Sequence, residues 1–139
     1  MAKIYDEECA LILEKMVFDK ISFVRKGFSS KSDPTFSLQI NTGKNDKNEI
    51  YQVTVILFVE KEKEYDIEIS LTGYFNINLK TGIDEKIFFD IINQNAVAIL
   101  IPYIRSQLSL ITAQPEMECL VMPPINVEAM LNRGKKSEN

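Results

Sequence analysis

At 139 residues, 45% hydrophobic and 26% charged, the chain has the length of one domain and the apolar mass for a core, which excludes disorder throughout. Sixteen basic against 20 acidic side chains give a net charge of −4 at pH 7, which argues against general nucleic-acid binding and against an anionic membrane surface as the main partner. Histidine is absent, removing the commonest general acid/base and metal ligand, and Cys9 and Cys119 are too isolated for a disulfide framework or a zinc knuckle.

The apolar run Ala10 to Leu13 is short for a signal segment and follows acids. The longest apolar run, 96 to 101, falls well below the roughly 20 residues of a membrane span. A reducing, cytoplasmic location is expected.

In chain order, residues 5–14 fit a helix or an extension of the strand that follows. That strand covers about 15 to 25, with Met16, Phe18, Ile21 and Phe23 apolar, and its phase slips near Asp19-Lys20, which predicts a bulge. Residues 35 to 41 set Phe36, Leu38 and Ile40 against polar neighbours, and a turn-rich loop from Asn41 to Asn48 follows. From 50 to 60, one face carries Tyr51, Val53, Val55, Leu57 and Val59. The other is partly apolar through Ile50, Ile56 and Phe58, as in an enclosed strand. The alternation is clearest over 65 to 79, with Tyr65, Ile67, Ile69, Leu71, Gly73, Phe75, Ile77 and Leu79 in one phase. The short charged link Lys61 to Glu64 makes these last two strands an antiparallel hairpin.

After Gly82 the period changes. Val97, Leu100, Ile101, Ile104, Leu108 and Ile111 form one helical stripe. Ile99, Tyr103 and Leu110 lie off it, so the helix is apolar nearly all round and calls for a partner subunit on the side that one sheet does not cover. Pro102 sits in this pattern at a cost of about 3 kcal/mol, so the helix kinks or begins there, with 84–92 as a separate short helix. A connector over 116–124 ends in Pro123-Pro124. A second helix is predicted over 127–132 with Asn126 as N-cap, and 133–139 is a polar tail. The domain is then residues 1–132.

Chemistry is sparse. Asn41-Thr-Gly-Lys44 lacks the second glycine and following hydroxyl of a phosphate loop. Glu60, Glu62, Glu64, Asp66 and Glu68 alternate along the hairpin, but Lys61 and Lys63 interleave them, which favours a solvated face or a docking surface for a basic partner over a metal site. Arg105 fits either a surface position or an ion pair at a subunit contact. The residues therefore describe an α+β domain, a meandering antiparallel sheet followed by two helices, oligomeric, with no cofactor and no enzymatic chemistry.

Two stretches carry a family resemblance. Ile99-Leu-Ile-Pro-Tyr-Ile-Arg105, followed by Met122-Pro-Pro-Ile-Asn-Val-Glu-Ala-Met-Leu131, resembles the end of SecB-family chaperones, where a helix with a leucine-phenylalanine-proline-tyrosine core leads through a proline-rich link to a last helix opened by asparagine. Ile21-Ser-Phe23 resembles the family's first strand, and Tyr65 to Ile77, with Gly73 and Phe75, its long fourth strand. The resemblance implies a four-stranded antiparallel sheet with two helices, assembled as a dimer of dimers with the long helices between the sheets. It implies ATP-independent capture of unfolded polypeptide, above all of precursors for export delivered to the SecA motor.

On that resemblance the client grooves lie between the first-to-second strand connection and the helices. Candidate lining residues are Phe28, Phe36, Met122, Ile125 and Met130. Glu68 is the candidate docking residue for SecA, and Ile99, Tyr103, Arg105 and Leu110 are candidates for the subunit interface. One departure weakens the SecA assignment: the family's acidic positions flanking Ile-Ser-Phe are Lys20 and Val24 here. A chaperone serving an antitoxin and its toxin is the alternative. A structural adaptor without client binding, or a small-molecule domain with a closed pocket, are the readings from other classes.

Overall fold

The computed structural model describes residues 9–28, 31–45, 50–79 and 85–124. They form β1 (Cys9–Arg25), β2 (Thr35–Asn45), β3 (Ile50–Lys61), β4 (Tyr65–Leu79) and α1 (Glu85–Thr112). The four strands make one antiparallel sheet in the order β1-β4-β3-β2. The expected second helix and the tail lie outside the described residues.

The first strand begins at Cys9, so residues 9–14 extend it rather than forming a helix. Its apolar positions explain how. Leu11 and Leu13 are in one phase, Met16 and Phe18 in the next, Ile21 and Phe23 in the first again. Each slip coincides with a register shift against β4, between Leu13 and Lys15 and between Phe18 and Lys20. A bulge adds one residue and returns the apolar set to the core face, where a regular strand would turn it to solvent. The expected irregularity at Asp19-Lys20 is the second of these.

The sheet is not a simple meander. β2, β3 and β4 follow one another, but β1 lies beside β4, pairing from Cys9 opposite Leu79 to Arg25 opposite Tyr65. β4 is thereby central, which accounts for burial on both its faces: Ile69 and Leu71 on one, Ser70 and Thr72 on the other. The link from β1 to β2 must cross the end of the β3–β4 hairpin. There the amides of Lys26 and Gly27 donate to the Glu64 carbonyl at 2.8 and 3.2 Å. A Cβ on Gly27 would stand 2.4 Å from the Lys63 carbonyl oxygen, so only glycine permits this crossing.

One continuous helix of 28 residues runs through Pro102, so of the two expectations, a kink or a start at the proline, the start and the separate short helix before it are excluded. Proline removes one backbone bond, and here its ring is on the exposed side. Ile92, Ala96, Val97, Leu100 and Ile101 before it, and Ile104 and Leu108 after or beyond it, bury against the same sheet. Burial at about 1.5–3 kcal/mol for each large side chain outweighs a local cost of about 3 kcal/mol. Gly73 lets the helix come close: a Cβ there would lie 2.9 Å from a Leu100 methyl and 2.7 Å from the Phe75 ring. The core face of β3, Tyr51 through Val59, is buried as its alternation predicts, and the Tyr51 hydroxyl bonds Asn93 of α1. No helix among the described residues is long and apolar enough to cross a membrane.

Candidate functional site

Three surfaces hold the residues singled out above. The first lies at the end of the sheet, where the β1–β2 link, the β3–β4 turn and the chain after α1 converge. That last segment folds back because the helix C-terminus leaves carbonyls to satisfy. The buried Thr112 hydroxyl donates to the Leu108 carbonyl at 2.8 Å and accepts the Leu120 amide at 2.8 Å, while Ser109 donates to the Leu120 carbonyl at 2.9 Å. Gln114 caps the Ile111 carbonyl at 2.6 Å.

A cleft of about 230 Å³ results, bordered by Lys31, Asp33, Pro34, Tyr65, Glu118 and Leu120. Beside it stands an aromatic group with a cation at its centre. Phe23 stacks on Tyr65 at 5.6 Å between ring centroids. The Arg25 guanidinium lies over Phe23 at 5.6 Å and over Phe28 at 5.0 Å. It donates to the Gly27 carbonyl at 3.3 Å and toward the Met117 sulfur at 3.9 Å. Phe28 is 70% exposed. Glu64 is buried and paired with Lys61 at 2.7 Å. Burial, with the Glu64 and Glu118 charges behind it, pushes the Tyr65 phenol above its ordinary value, so it stays a neutral donor at physiological pH.

Of the groove candidates, Phe28 is an open aromatic over Arg25 and is not among the residues that line this cleft. Phe36 is half-buried on the core face of β2, packed against the core. Met122 is 2% exposed and belongs to the core of the protomer. Ile125 and Met130 lie outside the described residues. Arg25 and Met117 were not singled out from the sequence, and Phe23 was named only as a residue of the first strand. The aromatic–Arg–aromatic spacing Phe23, Arg25, Phe28 was the available signal, but it reads as ordinary strand alternation until the link folds over.

The second surface is the sheet face away from the helix. Glu68 pairs there with Lys20 at 2.9 Å, and Lys26 with Asp66 at 3.0 Å and Glu60 at 3.8 Å. Glu60, Asp66 and Glu68 are thus locally matched by lysines from β1 and its end. Asp19, the bulged residue, accepts hydroxyl bonds from Ser70 and Thr72, and Thr72 meets Thr54 at 2.8 Å. Lys15 lies 4.8 Å over the Tyr74 ring. Val17 and Val24 project exposed from this edge strand.

The third is the open side of α1. Ile99 and Arg105 are half-buried, Tyr103 is 44% exposed and Leu110 is 69% exposed. Within one protomer the sheet covers only one side of this helix.

Three likenesses bear on the arrangement. An uncharacterized protein of Methanocaldococcus jannaschii is 28% identical over 135 residues, spanning 89% of this chain and 84% of that protein. The SecB-like chaperone Rv1957 of Mycobacterium tuberculosis, solved in complex with a ChAD peptide from the HigA1 antitoxin, superposes with a TM-score of 0.67 over 86% of this chain and 89% of its own, at 12% identity. At that identity the likeness is one of fold: the same sheet and helix. The model of the family described as preprotein translocase subunit SecB matches residues 10–138, and the chain belongs to the SecB family.

Proposed function

We propose that this protein is an ATP-independent holdase chaperone that captures unfolded polypeptide in the cleft at the end of its sheet. Members of the SecB family are chaperones rather than enzymes. The observation that carries the reading is Phe28, a large aromatic left 70% exposed in the β1–β2 link, set against the Arg25 guanidinium, which also reaches Met117 and the Phe23–Tyr65 stack beside the cleft. A non-native segment exposes apolar side chains, and burying them gains about 25 cal/mol per Å² without reading sequence. The particle is a cytoplasmic dimer of dimers. Four subunits carry 4 × −4 = −16 formal charges, which keeps apolar grooves soluble. Clients spanning several grooves gain by avidity. The domain is residues 1–132, followed by a polar tail.

Aggregation of a chemically denatured model protein, followed by light scattering alongside the solution mass of the chaperone, tests this. Suppression near one client per assembly is expected. Scattering unchanged from the client alone ends the proposal and leaves the adaptor reading.

The favoured clients are preproteins for Sec-dependent export. A second reading, service to a toxin–antitoxin pair, is favoured by two observations. Glu68, the one acid matching the SecA docking pattern, is already paired with Lys20. The SecB-like chaperone Rv1957 was solved with an antitoxin peptide. A calorimetric arm with the C-terminal tail of SecA separates the two: tight, salt-sensitive binding supports export, and its absence supports the second reading.

A further inference from the structure

Two segments far apart in sequence meet at the end of β1: the link that leaves β1 and the stretch that leaves α1. The link is fixed on the β3–β4 turn. The Lys26 and Gly27 amides donate to the Glu64 carbonyl, and the Ser32 hydroxyl donates to the Glu62 carbonyl at 3.3 Å. The stretch after α1 is fixed on the helix, where Thr112 and Ser109 hold Leu120. Arg25 joins the two. Its guanidinium carbon lies 5.0 Å from the Phe28 ring centroid, and one of its nitrogens lies 3.9 Å from the sulfur of Met117, 92 positions along the chain.

The geometry is that of a clamp. A guanidinium is a rigid plane with N–H donors around its edge and a charge that rings attract. Arg25 uses both features. It donates to the Gly27 carbonyl at 3.3 Å and toward Met117. Its charge lies over Phe23 at 5.6 Å, a ring already stacked on Tyr65, so the arginine is backed by two strands where it meets Phe28. Phe28 is 70% exposed and gains little from its own burial. Left to itself, a side chain that open is spread over its rotamers. Contact with a half-buried cation gives it one preferred place.

We propose that Arg25 is a positioning residue for client capture: it holds the Phe28 ring in place on the link and ties the link to the stretch after α1, so that apolar surface stands in one arrangement before a client arrives. This rests on the chaperone reading and deepens it. Ordering the ring in advance removes an entropy cost that binding must otherwise overcome. The arginine reads nothing in the client. It acts through Phe28 and Met117.

The test uses fluorescence anisotropy of labelled, reduced and carbamidomethylated α-lactalbumin, a permanently unfolded probe, against the full-length protein. Arg25→Met keeps the side-chain length and adds apolar surface, so a surface that gains by burial alone binds the probe as well or better. Positioning predicts the reverse, a loss of about fivefold to tenfold. Arg25→Lys keeps a cation without the planar fork and recovers part of the loss. In a Phe28→Leu background there is no ring to hold, so Arg25→Met has a smaller effect and the two changes are non-additive. Hydrogen exchange in Arg25→Met is expected to quicken at the Lys26 and Gly27 amides and at the Leu120 amide together, with β3 and β4 unchanged. Should Arg25→Met alter the circular dichroism spectrum or the solution mass, Phe28→Leu carries the exchange test, because releasing one end of the clamp loosens the other. Unchanged affinity in Arg25→Met, additive effects, or exchange that rises in one segment without the other overturns the assignment. If the wild type binds the probe and Arg25→Met matches it, the positioning role falls and the chaperone reading stands. If the wild type neither binds the probe nor suppresses aggregation, the chaperone reading falls and the positioning role with it, whatever the exchange shows.

Discussion

Leu100→Ala is expected to destabilise the fold by about 2–5 kcal/mol, the range for removing a fully buried leucine. Leu100 is 0% exposed and sits against the sheet at Gly73, where an added Cβ would meet its methyl and the Phe75 ring. The value belongs in the upper part of the range because the site cannot collapse. On the sheet side the contact is backbone, held by ladder bonds to both β1 and β3. On the helix side Ala96, Val97 and Ile104 are already packed. Urea unfolding at fixed protein concentration measures the effect as a lower midpoint with an unchanged slope. A loss under about 1 kcal/mol contradicts this seating of the helix.

The double substitution Tyr103→Glu, Leu110→Glu is expected to break the assembly while sparing the protomer fold. The two side chains stand two turns apart on one face of α1, 44% and 69% exposed, with the sheet on the other side. In the proposed dimer of dimers this face is covered by a partner subunit. In a symmetric interface each change is made twice, and each removes about 1.5–3 kcal/mol of apolar burial and adds an unpaired charge. Light scattering coupled to gel filtration is expected to show a smaller species, with the circular dichroism spectrum unchanged. An unchanged mass would falsify the helix-face interface. Loss of helix signal would place the two side chains in the protomer core instead.

The two substitutions test opposite sides of one helix, and the sequence distinguishes those sides unequally. The stripe through Val97, Leu100, Ile104 and Leu108 was legible because a period of 3.6 places those residues on one line. That Tyr103 and Leu110 fall off the line was legible too, and the protomer leaves both exposed. Whether the helix passes through Pro102 or begins there was left open by the sequence. Local propensity allows a start there, and burial against a common sheet on both sides of the proline decides for one helix.

The strands divide in the same way. Alternation in β3 and β4 assigned faces correctly, because side chains in an extended chain point to opposite sides by geometry alone. The slip at Asp19-Lys20 announced the second bulge of β1 for the same reason, whereas the first, at Leu13/Lys15, falls where the sequence left helix and strand open. Alternation carries no information about which strand lies beside which, so the place of β1 next to β4 had to come from the folded chain. With it came the Lys20–Glu68 pair, which exists only because β1 runs alongside β4 in that register.

What the sequence by itself determined was the class of the protein: an acidic, histidine-free α+β chain with the strand faces, the long helix and the family motifs of SecB. What only the tertiary structure decided was the sheet order, the unbroken helix and the cleft. Arg25, Phe28, Tyr65 and Met117 come from β1, the link after it, β4 and the segment beyond α1, and no local pattern connects them. Periodicity is a property of neighbours along the chain, whereas a binding site is made by neighbours in space. The single glycine at position 27 that lets the link cross the Glu64 turn brings those four residues to one place.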